Sequence, residues 1–137
     1  MRERRPYDVF LSYSAKDRDW ASEIVAALKS SGVSNWFDAH EIPAGERWQP
    51  RIEEALRESR VLILILSAES LNRPWIFFEV GAAVADSKRI VPVLAGDIDV
   101  ASLPPLLRQF QAVKETSPRA AAKRVVDAVA YATVSDA

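Results

Sequence analysis

The sequence predicts an α/β fold, a five-stranded parallel sheet with helices on both faces. Three observations carry this expectation. Val61 to Leu66 (VLILIL) is an unbroken aliphatic run of the kind that parallel strands show when both their faces are buried. Short β-like runs and longer stretches of helical periodicity alternate along the chain, as they do in a sheet wound on both sides. The 137 residues, 49% hydrophobic and 27% charged, are enough for one domain with a core of its own.

The first strand is placed at Tyr7–Tyr13 (YDVFLSY). A helix over Asp17–Ser31 follows, with Trp20, Ile24 and Leu28 spaced along one face and Gly32 as its C-terminal stop. Val33–Phe37 (VSNWF) is a weaker strand, and Ala39 to Arg47 is a polar loop containing Pro43 and Gly45. Trp48–Ser59 is expected to be helical, with Trp48, Ile52, Ala55 and Leu56 on one face. The aliphatic run forms the strand Val61–Ser67. A helix over Pro74–Asp86 begins with proline, whose fixed φ suits the first helical position. Ile90–Ala95 is the next strand; Pro92 has no N–H to give to a ladder, which places this strand towards the sheet's edge. A turn of helix after Pro104-Pro105, a weak strand at Phe110–Val113 and a helix over Ala120–Ala132 carrying Val125, Val126 and Val129 complete the pattern. The closing TVSDA reads as the start of a tail or linker. Residues 1–137 are therefore expected to be one domain, its core at about 7–133, cut from a longer protein.

Several function classes are disfavoured. Net charge is −1, so no basic surplus points to nucleic acid. The cluster Arg2, Arg4 and Arg5 sits at the terminus, where a frayed tail is expected. With no cysteine there is neither disulfide nor thiolate nucleophile, which suits a cytoplasmic setting. The longest apolar run is too short to cross a bilayer, and charge and Pro6 follow Met1 in place of a signal segment. Gly32, Gly45, Gly81 and Gly96 form neither G-x-G-x-x-G nor a P-loop. His40 is the single histidine, so a metal cluster and a serine triad are both unexpected. A phosphoryl-accepting receiver domain would end its third strand in aspartate; Ser67 stands there, and Ser12-Tyr13-Ser14 ends the first.

One stretch stands out chemically. Arg73 to Val84 (RPWIFFEVGAAV) places the carboxylate of Glu79 in the middle of an apolar run. Burying it costs several kcal/mol unless something satisfies it. Trp75 precedes it by one helical turn, so the two share a face that begins just past the carboxyl end of VLILILS. Open α/β sheets hold ligands at the carboxyl ends of their strands. There the first two strands offer Tyr13, Ser14 and Asp38, and Trp48 ends the loop after the second. From the residues alone, Glu79 is either a catalytic carboxylate or the partner of a cation such as Arg73 or Arg108. Trp75 is a stacking platform or a core residue, and Asp38 a ribose contact or a turn cap. Trp20, Trp36 and Trp48 are core candidates, with Trp48 also placed to cover the cleft.

YDVFLSYSAKD (Tyr7–Asp17), WFDAHEIPAGERW (Trp36–Trp48) and SAESLNRPWIFFEVGAA (Ser67–Ala83) together resemble the three signature regions of a Toll/interleukin-1 receptor (TIR) domain. The likeness covers roughly Tyr7 to Val113. It implies that family's flavodoxin-like sheet of five strands wrapped by helices. It also implies one of two activities. Many bacterial and plant members cleave NAD+ at the nicotinamide–ribose bond, giving nicotinamide and ADP-ribose or a cyclic isomer, in immune or antiphage signalling. Others are non-catalytic adapters that act by association with further TIR domains. Enzymatic members carry Trp-x-x-x-Glu, here Trp75-Ile76-Phe77-Phe78-Glu79, so the resemblance makes Glu79 the catalytic glutamate. Arg73 and Ile76 depart from the serine and cysteine common in the family at those positions. NAD+ is then substrate and not cofactor, no metal is required, and Trp75, Tyr13, Ser14, Asp38 and Trp48 are the expected substrate contacts. The expected partners are NAD+ and other TIR domains, met through Ala39 to Arg47, with no nucleic acid and no membrane.

Overall fold

The computed structural model describes residues 7–13, 15–33, 36–38, 54–68, 89–96, 98–103, 105–108 and 110–135. Five strands are present: β1 (Tyr7–Ser12), β2 (Trp36–Asp38), β3 (Ser59–Leu66), β4 (Arg89–Ala95) and β5 (Val113–Glu115). Helices α1 (Arg18–Ser30), α2 (Pro105–Arg108) and α3 (Pro118–Ser135) accompany them, and residues 54–57 before β3 are helical as well. The strands form one parallel sheet in the order β2-β1-β3-β4-β5. This is the fold class that the alternation of strand and helix predicts.

Pleating divides the sheet's side chains between two faces. Val9 and Leu11 of β1, with Tyr13 just after it, join Val61, Ile63 and Ile65 of β3 and Val91, Val93 and Ala95 of β4 in one buried cluster. Ala21, Ile24 and Leu28 of α1 and Ala121, Ala122, Val125 and Val129 of α3 cover it, and Trp20 and Val126 pack against its margin. The alternate positions Phe10, Ser12, Leu62, Leu64 and Leu66 are also buried, on the opposite face. Both faces of β3 are therefore dry, which is why its sequence shows no period of two.

The strand β4 lies towards one edge of the sheet, as Pro92 suggests, but one strand in from it, between β3 and β5. Pro92 lies opposite Leu64 of β3, whereas the ladder to β5 begins one residue later, at Val93–Val113.

Other boundaries shift too. Ser59 opens β3 and does not end the preceding helix, of which residues 54–57 are described. Val33 lies before β2, which runs to Asp38. The last strand was expected over Phe110–Val113 and spans Val113–Glu115, because its pairing with Val93–Ala95 defines it and not its hydrophobicity. Thr133, Val134 and Ser135 belong to α3, not to a tail.

Gly32 ends α1 as expected, and the geometry shows why. Its φ is +93°, a region costly for residues with a Cβ. There the Gly32 N–H donates to the Lys29 carbonyl (3.2 Å) and the Val33 N–H to the Leu28 carbonyl (2.9 Å), the paired bonds of a Schellman stop. A Cβ on Gly32 would meet no atom within 4 Å, so the penalty there is purely one of backbone conformation. Gly32→Ala should therefore lower stability by about 1–2 kcal/mol, measured by urea denaturation, without altering the m-value.

Ion pairs tie the sheet to itself and to α3. Arg60 Nε is 3.7 Å from Asp8 Oδ1 near the amino-terminal ends of β3 and β1, too long for a hydrogen bond. Arg124 of α3 reaches Glu115 Oε1 at 3.1 Å, an exposed pair that tethers the helix to β5 and contributes little energy.

Candidate active site

The strand order locates the site. From β1 the chain passes through α1 to β2 on one side, while β3 and the strands after it lie on the other side of β1. Connections leaving the neighbouring strands β1 and β3 thus diverge. The carboxyl ends of those two strands form the topological switch point at which open α/β sheets hold their ligands.

The register shapes this place. Leu11 lies opposite Asp38 of β2 and Ile63 of β3, so β1 and β2 finish nearly level. Ser12, the last residue of β1, lies opposite Leu64, and β3 continues to Leu66. The end of β1 is therefore a step lower than the end of β3.

Tyr13 follows directly on β1 and is 7% exposed, within the core cluster that α1 and α3 cover. Asp38 is the last residue of β2. The structure thus brings the backbone positions of Tyr13 and Asp38 to one edge of the sheet, at the ends of paired strands. Ser14, Trp48, Trp75 and Glu79 lie outside the described residues, as do Arg73, the loop Ala39 to Arg47 and the expected helix over Pro74–Asp86. Arg108, considered above as a partner for Glu79, ends α2 and is exposed.

Sequence reasoning passed over Ser12 as a site residue. Its side chain is fully buried, and its Oγ has no hydrogen-bond partner among the described residues. A hydroxyl in that condition costs roughly 1–3 kcal/mol. Ser59, equally buried at the amino-terminal end of β3, shows the ordinary solution: its Oγ donates to the Ala55 carbonyl at 2.6 Å. The difference falls at the switch point. Alternation contained the signal, since Phe10 and Ser12 share the face that Leu62, Leu64 and Leu66 line, and serine is the polar exception among them.

A cavity of about 460 Å³ opens between α1 and α3, lined by Ala27, Ala122 and Val126 with Glu23, Lys123 and Asp127 around them. None of the candidate site residues lines it. Among the described residues no helix is long and apolar enough to cross a membrane.

Comparison with known proteins bears on this arrangement. The sequence profile of a family described as "TIR domain" matches residues 9–126. The chain is 32% identical over 120 residues to the stimulator of interferon genes protein of Magallana gigas, an alignment covering 83% of this chain and 29% of that protein. It is 27% identical over 92 residues to the 2' cyclic ADP-D-ribose synthase AbTIR of Acinetobacter baumannii, covering 64% of this chain and 34% of the relative. Among solved structures it is similar to a metazoan TIR-STING receptor from C. gigas in complex with 2',3'-cGAMP, with a TM-score of 0.79 and 28% identity over 94% of this chain and 41% of that one. The chain therefore spans about a third of the length of the curated relatives it matches.

Proposed function

The chain belongs to the TIR domain family, and from that premise we propose that it cleaves NAD+ at the nicotinamide–ribose bond. The observation that carries the reading is the switch point. Tyr13 and Ser14 follow β1 in sequence, Asp38 ends β2, and the Trp-x-x-x-Glu pattern of Trp75 and Glu79 follows β3. The name of the Acinetobacter relative, a synthase of cyclic ADP-ribose, supports the same chemistry.

The reaction asks little of the protein. The bond from ribose C1′ to the pyridinium nitrogen breaks, its electron pair stays on nitrogen, and neutral nicotinamide departs without a general acid. Positive charge is left on the ribose, as in glycoside hydrolysis. The Glu79 carboxylate stabilises that charge or orients the ribose hydroxyls. Trp75 offers a flat face to a ring, while Asp38, Ser14, Tyr13 and Trp48 complete the pocket. Water then captures the ribose and loses a proton to give ADP-ribose, or a nucleophile of the same molecule does so and closes a ring. The site is taken to be cytoplasmic, where NAD+ is supplied. Incubating the concentrated protein with NAD+ and separating the products by chromatography tests the reading; absence of free nicotinamide would refute it.

A second reading, a non-catalytic adapter, draws on the likeness to a relative named for a receptor and not for an enzyme, the TIR-STING receptor from C. gigas. The two are compatible if assembly completes the site between neighbouring copies. In that case Ala39 to Arg47 mediates self-association. Pro43→Arg combined with Gly45→Glu should then remove the associated species in light scattering and lower nicotinamide release with it. Unchanged assembly would exclude this loop as the contact.

A further inference from the structure

We propose that the Ser12 hydroxyl is a substrate-binding group, which hydrogen-bonds a neutral polar group on the nicotinamide-riboside half of NAD+ rather than the diphosphate. The inference rests on the NAD+-cleaving reading and assigns it a residue that was not among the expected substrate contacts. Ser12 is 0% exposed, and its Oγ has no hydrogen-bond partner among the described residues. A donor that the empty protein leaves unsatisfied is satisfied by what binds. Its place is the end of β1, opposite Leu64 and beside β3, at the switch point where a ligand is expected.

The chemistry selects the half of the substrate. A diphosphate calls for cations or a row of converging N–H groups. Ser12 supplies one neutral hydroxyl, and its register neighbour and face neighbours, Leu64, Phe10, Leu62 and Leu66, are apolar. Such a floor suits a ribose hydroxyl or the carboxamide, each of which can donate or accept one bond. The competing explanation is that serine is present only because the position must be small. Alanine separates the two, being as small and lacking the hydroxyl.

Three measurements on Ser12→Ala and the wild type decide the matter: melting temperature without ligand, kcat/KM for nicotinamide release from NAD+, and inhibition by ADP, which probes the other half of the substrate. The expected result is an unchanged or raised melting temperature, kcat/KM lower by about 5–20-fold, and an unchanged ADP inhibition constant. An unchanged kcat/KM in an active background overturns this proposal alone and leaves the size explanation. A melting temperature lowered by several degrees, with unchanged activity per folded molecule, shows that the hydroxyl serves the scaffold and also overturns it. ADP inhibition weakened by the same factor as kcat/KM overturns the assignment to the nicotinamide half. Failure of the wild type itself to release nicotinamide refutes the parent reading, and this proposal falls with it.

Discussion

Glu79→Gln should cut nicotinamide release from NAD+ by on the order of 10² or more and leave the melting temperature unchanged or slightly raised. The rate loss follows from the chemistry proposed above. The transition state places positive charge on the ribose, and glutamine keeps the shape of the side chain without its charge. The stability expectation separates the two readings that the sequence leaves open. If Glu79 were the partner of a buried cation, its removal would strand that cation and cost ~3 kcal/mol or more. If its carboxylate is held for a substrate, nothing in the empty protein loses a partner. Melting temperature and nicotinamide release, measured on one preparation, therefore decide between them. A variant that melts early yet keeps its activity per folded molecule would place Glu79 in the scaffold.

What the sequence discloses and what it conceals follow from the kind of signal each element emits. β3 is legible because burial on both faces makes its hydrophobicity continuous. The end of α1 is legible because one glycine must take a positive φ. β5 is not, since Lys114 and Glu115 are ordinary surface residues in isolation and become a strand only by pairing with Leu94 and Ala95. The place of β4 is hidden for a related reason: Pro92 forbids one hydrogen bond, and only the register shows that a further strand pairs with β4 from the next residue, Val93. At the site, strand ends can be read from the sequence, so Tyr13 and Asp38 are legible as neighbours at one edge without the sheet order. Ser12 could not be singled out in the same way. Alternation marks it only as the polar exception on an apolar face; its full burial and the lack of a partner among the described residues are visible only in the structure.

Phe10→Ala should produce the other large effect, and of the opposite kind. Phe10 is 0% exposed in β1, opposite Phe37 of β2 and Leu62 of β3, on the same sheet face as Ser12. Truncating a buried phenylalanine to alanine costs about 3–5 kcal/mol, because the transfer energy of the ring is lost and a rigid sheet cannot collapse into the space. For a domain whose whole stability is on the order of 5–15 kcal/mol, the melting temperature should fall by roughly 10–20 °C. Nicotinamide release should fall with the folded fraction, and activity per folded molecule at low temperature should survive. The contrast with Ser12→Ala, two positions along the same strand and face, is the informative part. One substitution removes atoms that the fold uses and the other removes an atom that the fold leaves idle, so stability and turnover should move independently in the two variants. A fall of less than about 1 kcal/mol in Phe10→Ala, by urea denaturation, would mean that this face is loosely packed. The idle hydroxyl of Ser12 would then be better explained by that looseness than by a ligand.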